Sequence, residues 1–130
     1  MRDLMQKTVL VTDDSAMIRR IVGQIIQQLG HKVLLADNGE KGYALTKSAR
    51  PDLVIMDIEM PVMSGIEATA RIKSDPETAD IPVIIFTSLG SEEDIRKARE
   101  AGCQGFLNKP VSKEALQKSI NAALDTGQAV

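Results

Sequence analysis

Residues 53–57 read Leu53-Val54-Ile55-Met56-Asp57, four apolar side chains in succession closed by a carboxylate. A short run without alternation suits a strand covered on both faces, as in a parallel sheet. Similar short runs recur on either side, at 9–11, 33–35, 83–86 and 106–107. Between them lie stretches with helical spacing. Ile18, Ile21, Val22, Ile25, Ile26 and Leu29 fall on one stripe, and Gly30 supplies the left-handed residue that ends such a helix. Ser64 with Glu67, and Ser91 with Asp94, carry the spacing of helix N-terminal caps. Pro51, Pro61, Pro76, Pro82 and Pro110 fall at junctions. Residues 125–130 read as a frayed end.

Five strand–helix pairs in alternation predict an α/β fold, a doubly wound parallel sheet with right-handed crossovers. The chain has 130 residues, room for one compact domain. Sixteen basic and eighteen acidic side chains leave a formal charge of -2, so no basic excess favours nucleic acid. Three aromatic residues, Tyr43, Phe86 and Phe106, are too few for a base-stacking platform. One cysteine, Cys103, excludes an internal disulfide. The first seven residues lack the apolar stretch of a signal peptide, and no apolar run approaches a membrane span. A cytoplasmic protein is expected.

Ligands of doubly wound sheets bind outside the carboxyl ends of the strands, so the chemistry belongs to the residues following each run. Those residues are Asp13 and Asp14 after the first, Asp57 after the third, Thr87 and Ser88 after the fourth, and Asn108, Lys109 and Pro110 after the fifth. Each alone reads as a turn or cap residue. Together, on one rim, they form a site. Three neighbouring carboxylates repel one another and require a cation, and hard oxygen donors without thiol or imidazole favour Mg²⁺ or Mn²⁺. Asp57 stands alone at its strand end and is the candidate nucleophile. A carboxylate can take a phosphoryl group as an acyl phosphate, with Lys109 neutralising its oxygens and the Thr87 hydroxyl bonding one of them.

These residues, together with the Met60-Pro61-x-Met63-x-Gly65 loop, resemble the receiver domain of two-component response regulators. The resemblance covers the chain from Thr8 to about Leu124 and implies a flavodoxin-like sheet of order 2-1-3-4-5 flanked by five helices. It implies that Asp57 accepts a phosphoryl group from the phosphohistidine of a histidine kinase or phosphotransfer protein. Asp14, Asp57 and the backbone carbonyl of Glu59 then bind Mg²⁺ directly, and Asp13 acts through water. Thr87 and Phe106 form the switch pair, with Phe106 in place of the tyrosine often found there. Pro110 often follows a cis peptide in this family. A downstream protein then reads the face of the fourth helix, fifth strand and fifth helix, where Ile95, Arg96, Arg99 and Lys113 are candidate contacts. A monomeric signalling switch is expected, with autophosphatase activity at most.

Two other classes share parts of the pattern. A phosphatase of the haloacid dehalogenase type uses a strand-end aspartate with Mg²⁺, and needs a second acid where Glu59 stands. A flavin carrier of the same topology wants a hydroxyl- and glycine-rich phosphate loop where Asp13 and Asp14 stand. His31 reads as a loop residue, Cys103 as small packing, and Met56, Met60 and Met63 as packing around the loop after Asp57.

Overall fold

The computed structural model describes residues 6–129; Met1 to Met5, on which the signal-peptide reading partly falls, and Val130 lie outside it. The chain alternates strictly: β1 (Thr8–Thr12), α1 (Ala16–Gln28), β2 (Lys32–Ala36), α2 (Gly39–Ala49), β3 (Leu53–Met56), α3 (Gly65–Ser74), β4 (Val83–Thr87), α4 (Glu92–Ala101), β5 (Gly105–Asn108) and α5 (Lys113–Ala129). The strands form one parallel sheet in the order β2-β1-β3-β4-β5.

The period of two along each strand sorts its side chains between two cores. Val9, Val11, Leu53, Ile55, Ile84 and Phe86 meet Val22, Ile25 and Ile26 of α1 and Leu116, Ile120 and Leu124 of α5. Leu10, Val54, Met56, Val83 and Ile85 face Ala68 and Ile72 of α3 and Ala98 of α4, with Tyr43 and Leu45 of α2 packed at the margin. Full cover on both faces holds for β3 and β4, whose residues are all buried. The edge strand β2 differs, because only one neighbour flanks it, and Leu35 is left 48% exposed. The other edge strand, β5, is partly buried.

The helix ends follow local chemistry. Ser64 and Ser91 cap α3 and α4 by accepting the Glu67 and Asp94 backbone N–H groups. Gly30, at φ 92°, closes α1: its N–H donates to the Gln27 carbonyl, and the His31 N–H donates to Ile26. The reading of a frayed end is corrected for residues 125–129, where α5 continues to Ala129. No proline interrupts that stretch, and Gly127 alone disfavours a helix by only about 1 kcal/mol.

Candidate functional site

Parallel pairing brings every strand's carboxyl end to one rim. Register sets the neighbours: Thr12 lies opposite Met56, Met56 opposite Ile85, and Thr87 opposite Asn108. Asp13 and Asp57 are therefore adjacent, and the Asp57 N–H donates to the Thr12 carbonyl at 2.9 Å. Carboxylate oxygens of Asp13, Asp14 and Asp57 all lie within 4.8 Å of one another.

Their environments differ. Asp13 is 2% exposed; one oxygen accepts the Ser15 N–H at 2.9 Å, and the other accepts Lys109 Nζ at 2.7 Å. Arg19 donates to the Asp13 carbonyl, fixing the start of the β1–α1 connection. Asp14 is exposed. Asp57 is 6% exposed; its Oδ1 accepts the Ile58 N–H at 2.9 Å, and its Oδ2 lies 3.7 Å from Lys109 Nζ. Burial pushes the Asp57 carboxyl above the ordinary aspartate range, and the Asp13 charge pushes the same way. The Thr87 hydroxyl, Lys109 and the Ile58 N–H oppose that rise.

Lys109 reaches these acids from the edge strand. Its ammonium passes 5.4 Å from the centre of the Phe86 ring, within cation–π range. In the sequence Phe86 shows only the apolar character of a strand residue. Strand alternation held the signal, since Phe86 must face opposite to Thr87. The Lys109–Pro110 peptide is cis. Thr87 is fully buried, and its Oγ1 accepts the Leu89 N–H at 3.2 Å. Asn108 also lacked an assigned task in the sequence; its side chain donates to the Leu89 carbonyl and holds the β4–α4 connection. Phe106 lies opposite Ile85 one step below the rim and packs partly buried on the second core. Glu59 is exposed just beyond Asp57.

Three carboxylates facing one ammonium leave an uncompensated negative charge at the rim of the sheet. Such an all-oxygen set fits a hard divalent cation rather than zinc or copper. The Asp57 carboxylate is the buried member of that set that lies farther from the ammonium.

Residues 9–121 match the response regulator receiver domain. The chain belongs to the receiver domain family. Protein PilH of Pseudomonas aeruginosa is 41% identical over 116 residues, spanning 89% of this chain and 96% of that one. The chemotaxis protein CheY of Halobacterium salinarum is 39% identical, covering 92% and 98% respectively. A CheY-like receiver domain structure from Methanospirillum hungatei superposes with a TM-score of 0.90 at 26% identity, covering 95% and 98%.

Receiver domains are phosphoacceptor signalling switches of two-component systems, working with histidine kinases and downstream effectors rather than as conventional enzymes. The phosphatase alternative finds no support in these matches. Against the flavin alternative stands the buried Asp13 carboxylate, in the connection where a cofactor phosphate would lie. His31 occupies a loop, where its Nδ1 accepts the Lys7 N–H; burial holds its imidazole below the usual range. Met56 and Met63 are buried in the second core, with Met60 and Cys103 packed against it. Among the described residues, no helix is long and apolar enough to cross a membrane.

Proposed function

We propose that Asp57 accepts a phosphoryl group from the phosphohistidine of a histidine kinase or phosphotransfer protein. The supporting observation is the buried Asp57 carboxylate, facing Lys109 on one side and two further carboxylates on the other. A carboxylate oxygen attacks phosphorus in line as the phosphorus–nitrogen bond breaks; the donor ring, already protonated on its other nitrogen, keeps the electron pair and leaves as neutral imidazole. Lys109 receives the negative charge that gathers on the transferred oxygens, and the Thr87 hydroxyl donates to one of them. Asp14, Asp57 and the Glu59 carbonyl would hold Mg²⁺, or Mn²⁺ in its place, with Asp13 acting through water. When present, it neutralises phosphoryl charge that the carboxylates alone would repel. Slow attack of water on the acyl phosphate is the most enzymatic activity we assign.

The chain, 1–130, is one receiver domain with its core at about 8–124, and it acts as a cytoplasmic monomer that contacts proteins and not nucleic acid. Its output surface is the face of α4, β5 and α5. Ile95, Arg96, Arg99 and Lys113 are its candidate contacts, and a groove of about 870 Å³ runs beside Phe106 and Leu107.

Incubation with acetyl phosphate and Mg²⁺ tests the core of this reading. Intact mass should rise by one phosphoryl group in the native chain and not in Asp57→Asn. Equal labelling of the two proteins sinks the assignment.

A further inference from the structure

The loop leaving Asp57 is tight at both ends and strained between them. At its far end, the Gly65 N–H donates to the Ile58 carbonyl, and a Cβ on Gly65 would overlap the Asp57 carbonyl. In the middle, the Met63 N–H donates back to the Pro61 carbonyl at 2.8 Å across Val62, whose φ is 71°. That is a γ-turn of positive φ, the rare and strained hand, on a β-branched residue. Val62 is 75% exposed, so burial of its own side chain does not hold the turn in place.

Helix α2 packs against the turn. Gly39, its first residue, sits so close to the loop that a Cβ there would overlap the Met63 carbonyl oxygen. It would also lie 3.0 Å from the carbonyl carbon and 3.1 Å from the Met63 Cβ. The helix is fixed elsewhere. Gly42 is seated against Thr12 of β1, where a Cβ would come within 2.9 Å. Tyr43 donates to Asp75 at 2.7 Å, and Lys47 pairs with the same carboxylate at 3.0 Å, tying α2 to the end of α3. Asn38 caps the first turn by accepting the Lys41 N–H at 2.8 Å.

We propose that Gly39 is a positioning residue: through the Met63 carbonyl, α2 braces the strained Val62 turn and thereby sets the loop backbone beside Asp57. The inference rests on the reading of that loop as cation-binding and phosphoryl-accepting. A side chain at Gly39 pushes the Met63 carbonyl away, because α2 is held by Thr12 and Asp75. The displacement then passes along the loop to the Glu59 carbonyl and to Asp57.

Isothermal titration of the metal-free chain with Mg²⁺ tests this. Gly39→Ala should weaken binding on the order of tenfold, the scale seen when a group supporting a metal ligand is lost. Amide shifts of residues 58–64 should change before metal is added. Ile120→Ala, a core truncation on the opposite face of the sheet, should lower the melting temperature while leaving affinity within about twofold. Should Gly39→Ala not fold, Asn38→Ala and Ser91→Ala remove comparable caps from α2 and α4, and only the first should weaken Mg²⁺. Native affinity in Gly39→Ala, or equal affinity in the two cap variants, overturns the brace. A native chain that binds no Mg²⁺ and takes no phosphoryl group overturns the phosphoacceptor reading itself, which separates the two failures.

Discussion

Lys109 sits nearer to Asp13 than to Asp57: its Nζ lies 2.7 Å from Asp13 Oδ2 and 3.7 Å from Asp57 Oδ2. The ammonium thus neutralises Asp13 and leaves Asp57, the proposed acceptor, the less satisfied of the two. It also competes with any cation for the same oxygens. Lys109→Met should therefore have two opposite effects. The metal-free chain should lose about 3 kcal/mol, since Asp13 is left buried without its partner. Mg²⁺ should then raise the melting temperature of the variant more than that of the native chain, because it no longer displaces an ammonium. A smaller Mg²⁺ shift in Lys109→Met than in the native chain contradicts the competition.

Asp57 carries a stability cost that depends on pH. Its folded pKa is raised, chiefly by burial. The protonated form is therefore preferred in the folded state, and stability falls as pH rises from the ordinary aspartate value through the raised one. Asp57→Asn keeps an oxygen for the Ile58 N–H and removes the charge. In metal-free buffer it should be more stable than the native chain at pH 7, on the order of 1 kcal/mol. The gain should vanish below about pH 3.9, the unfolded value. Chemical denaturation at several pH values checks it; a gain that is constant with pH would mean that charge is not the cause.

The rim was legible in the sequence because a parallel sheet converts position after an apolar run into position in space. Asp13, Asp57, Thr87 and Lys109 needed no more than that rule to be collected. What escaped was fixed by distances that residue types do not encode. Phe86 shows only an apolar side chain in the sequence, and its role under the Lys109 ammonium depends on how a long side chain crosses β4. Gly39 carries no signal in the sequence that Met63 lies against it. Val62 is β-branched, and its residue type gives no sign of the positive φ that the Met63–Pro61 bond closes around. The exposure of β2 was missed because an edge strand and a central strand can share the same apolar run.

The Val62 turn yields a direct stability prediction. Glycine adopts φ 71° without the Cβ clash that a β-branched residue meets. Val62→Gly should stabilise the chain by about 1 kcal/mol, the strain released being partly offset by a more flexible unfolded state. Val62→Ala keeps a Cβ and should gain less. Urea midpoints rank the three proteins, and a destabilised Val62→Gly would show that the turn is unstrained.

Asp75 links α2 to α3, and its carboxyl is lowered to about 2 by the Glu77 N–H, then by Tyr43 and Lys47. With a folded pKa below the unfolded one, its stabilising effect is complete above the ordinary aspartate range and is lost as pH falls towards 2. Tyr43→Phe removes one donor and should move the Asp75 titration upward, as followed by carboxyl NMR. A titration that stays in place would assign the shift to the Glu77 N–H and Lys47 alone.

If Asp57 is phosphorylated as proposed, Thr87 is placed to convert that event into a change of surface. Its hydroxyl already lowers the Asp57 carboxyl, and its Oγ1 accepts the Leu89 N–H at 3.2 Å. Its carbonyl accepts the Lys109 N–H at 2.8 Å, so the residue touches both the acceptor's surroundings and β5. A phosphoryl group on Asp57 offers stronger acceptors than a carboxylate, and the hydroxyl should swing to it and release Leu89. The released connection is the one Asn108 holds by its bond to the Leu89 carbonyl, so the change passes to β5. Phe106, partly buried and beside the groove, can then pack more deeply where Thr87 has moved. Deeper burial is worth roughly 1–2 kcal/mol, enough to shift a two-state population about tenfold. Thr87→Ala should accept phosphoryl at Asp57 yet lose the phosphorylation-dependent gain in binding to whatever partner the native chain captures with beryllofluoride. Thr87→Ser, which retains the hydroxyl, should recover most of that gain. If Thr87→Ala binds the partner with the full native gain, Thr87 is not the relay, and the signal must leave Asp57 through Lys109 and β5 alone.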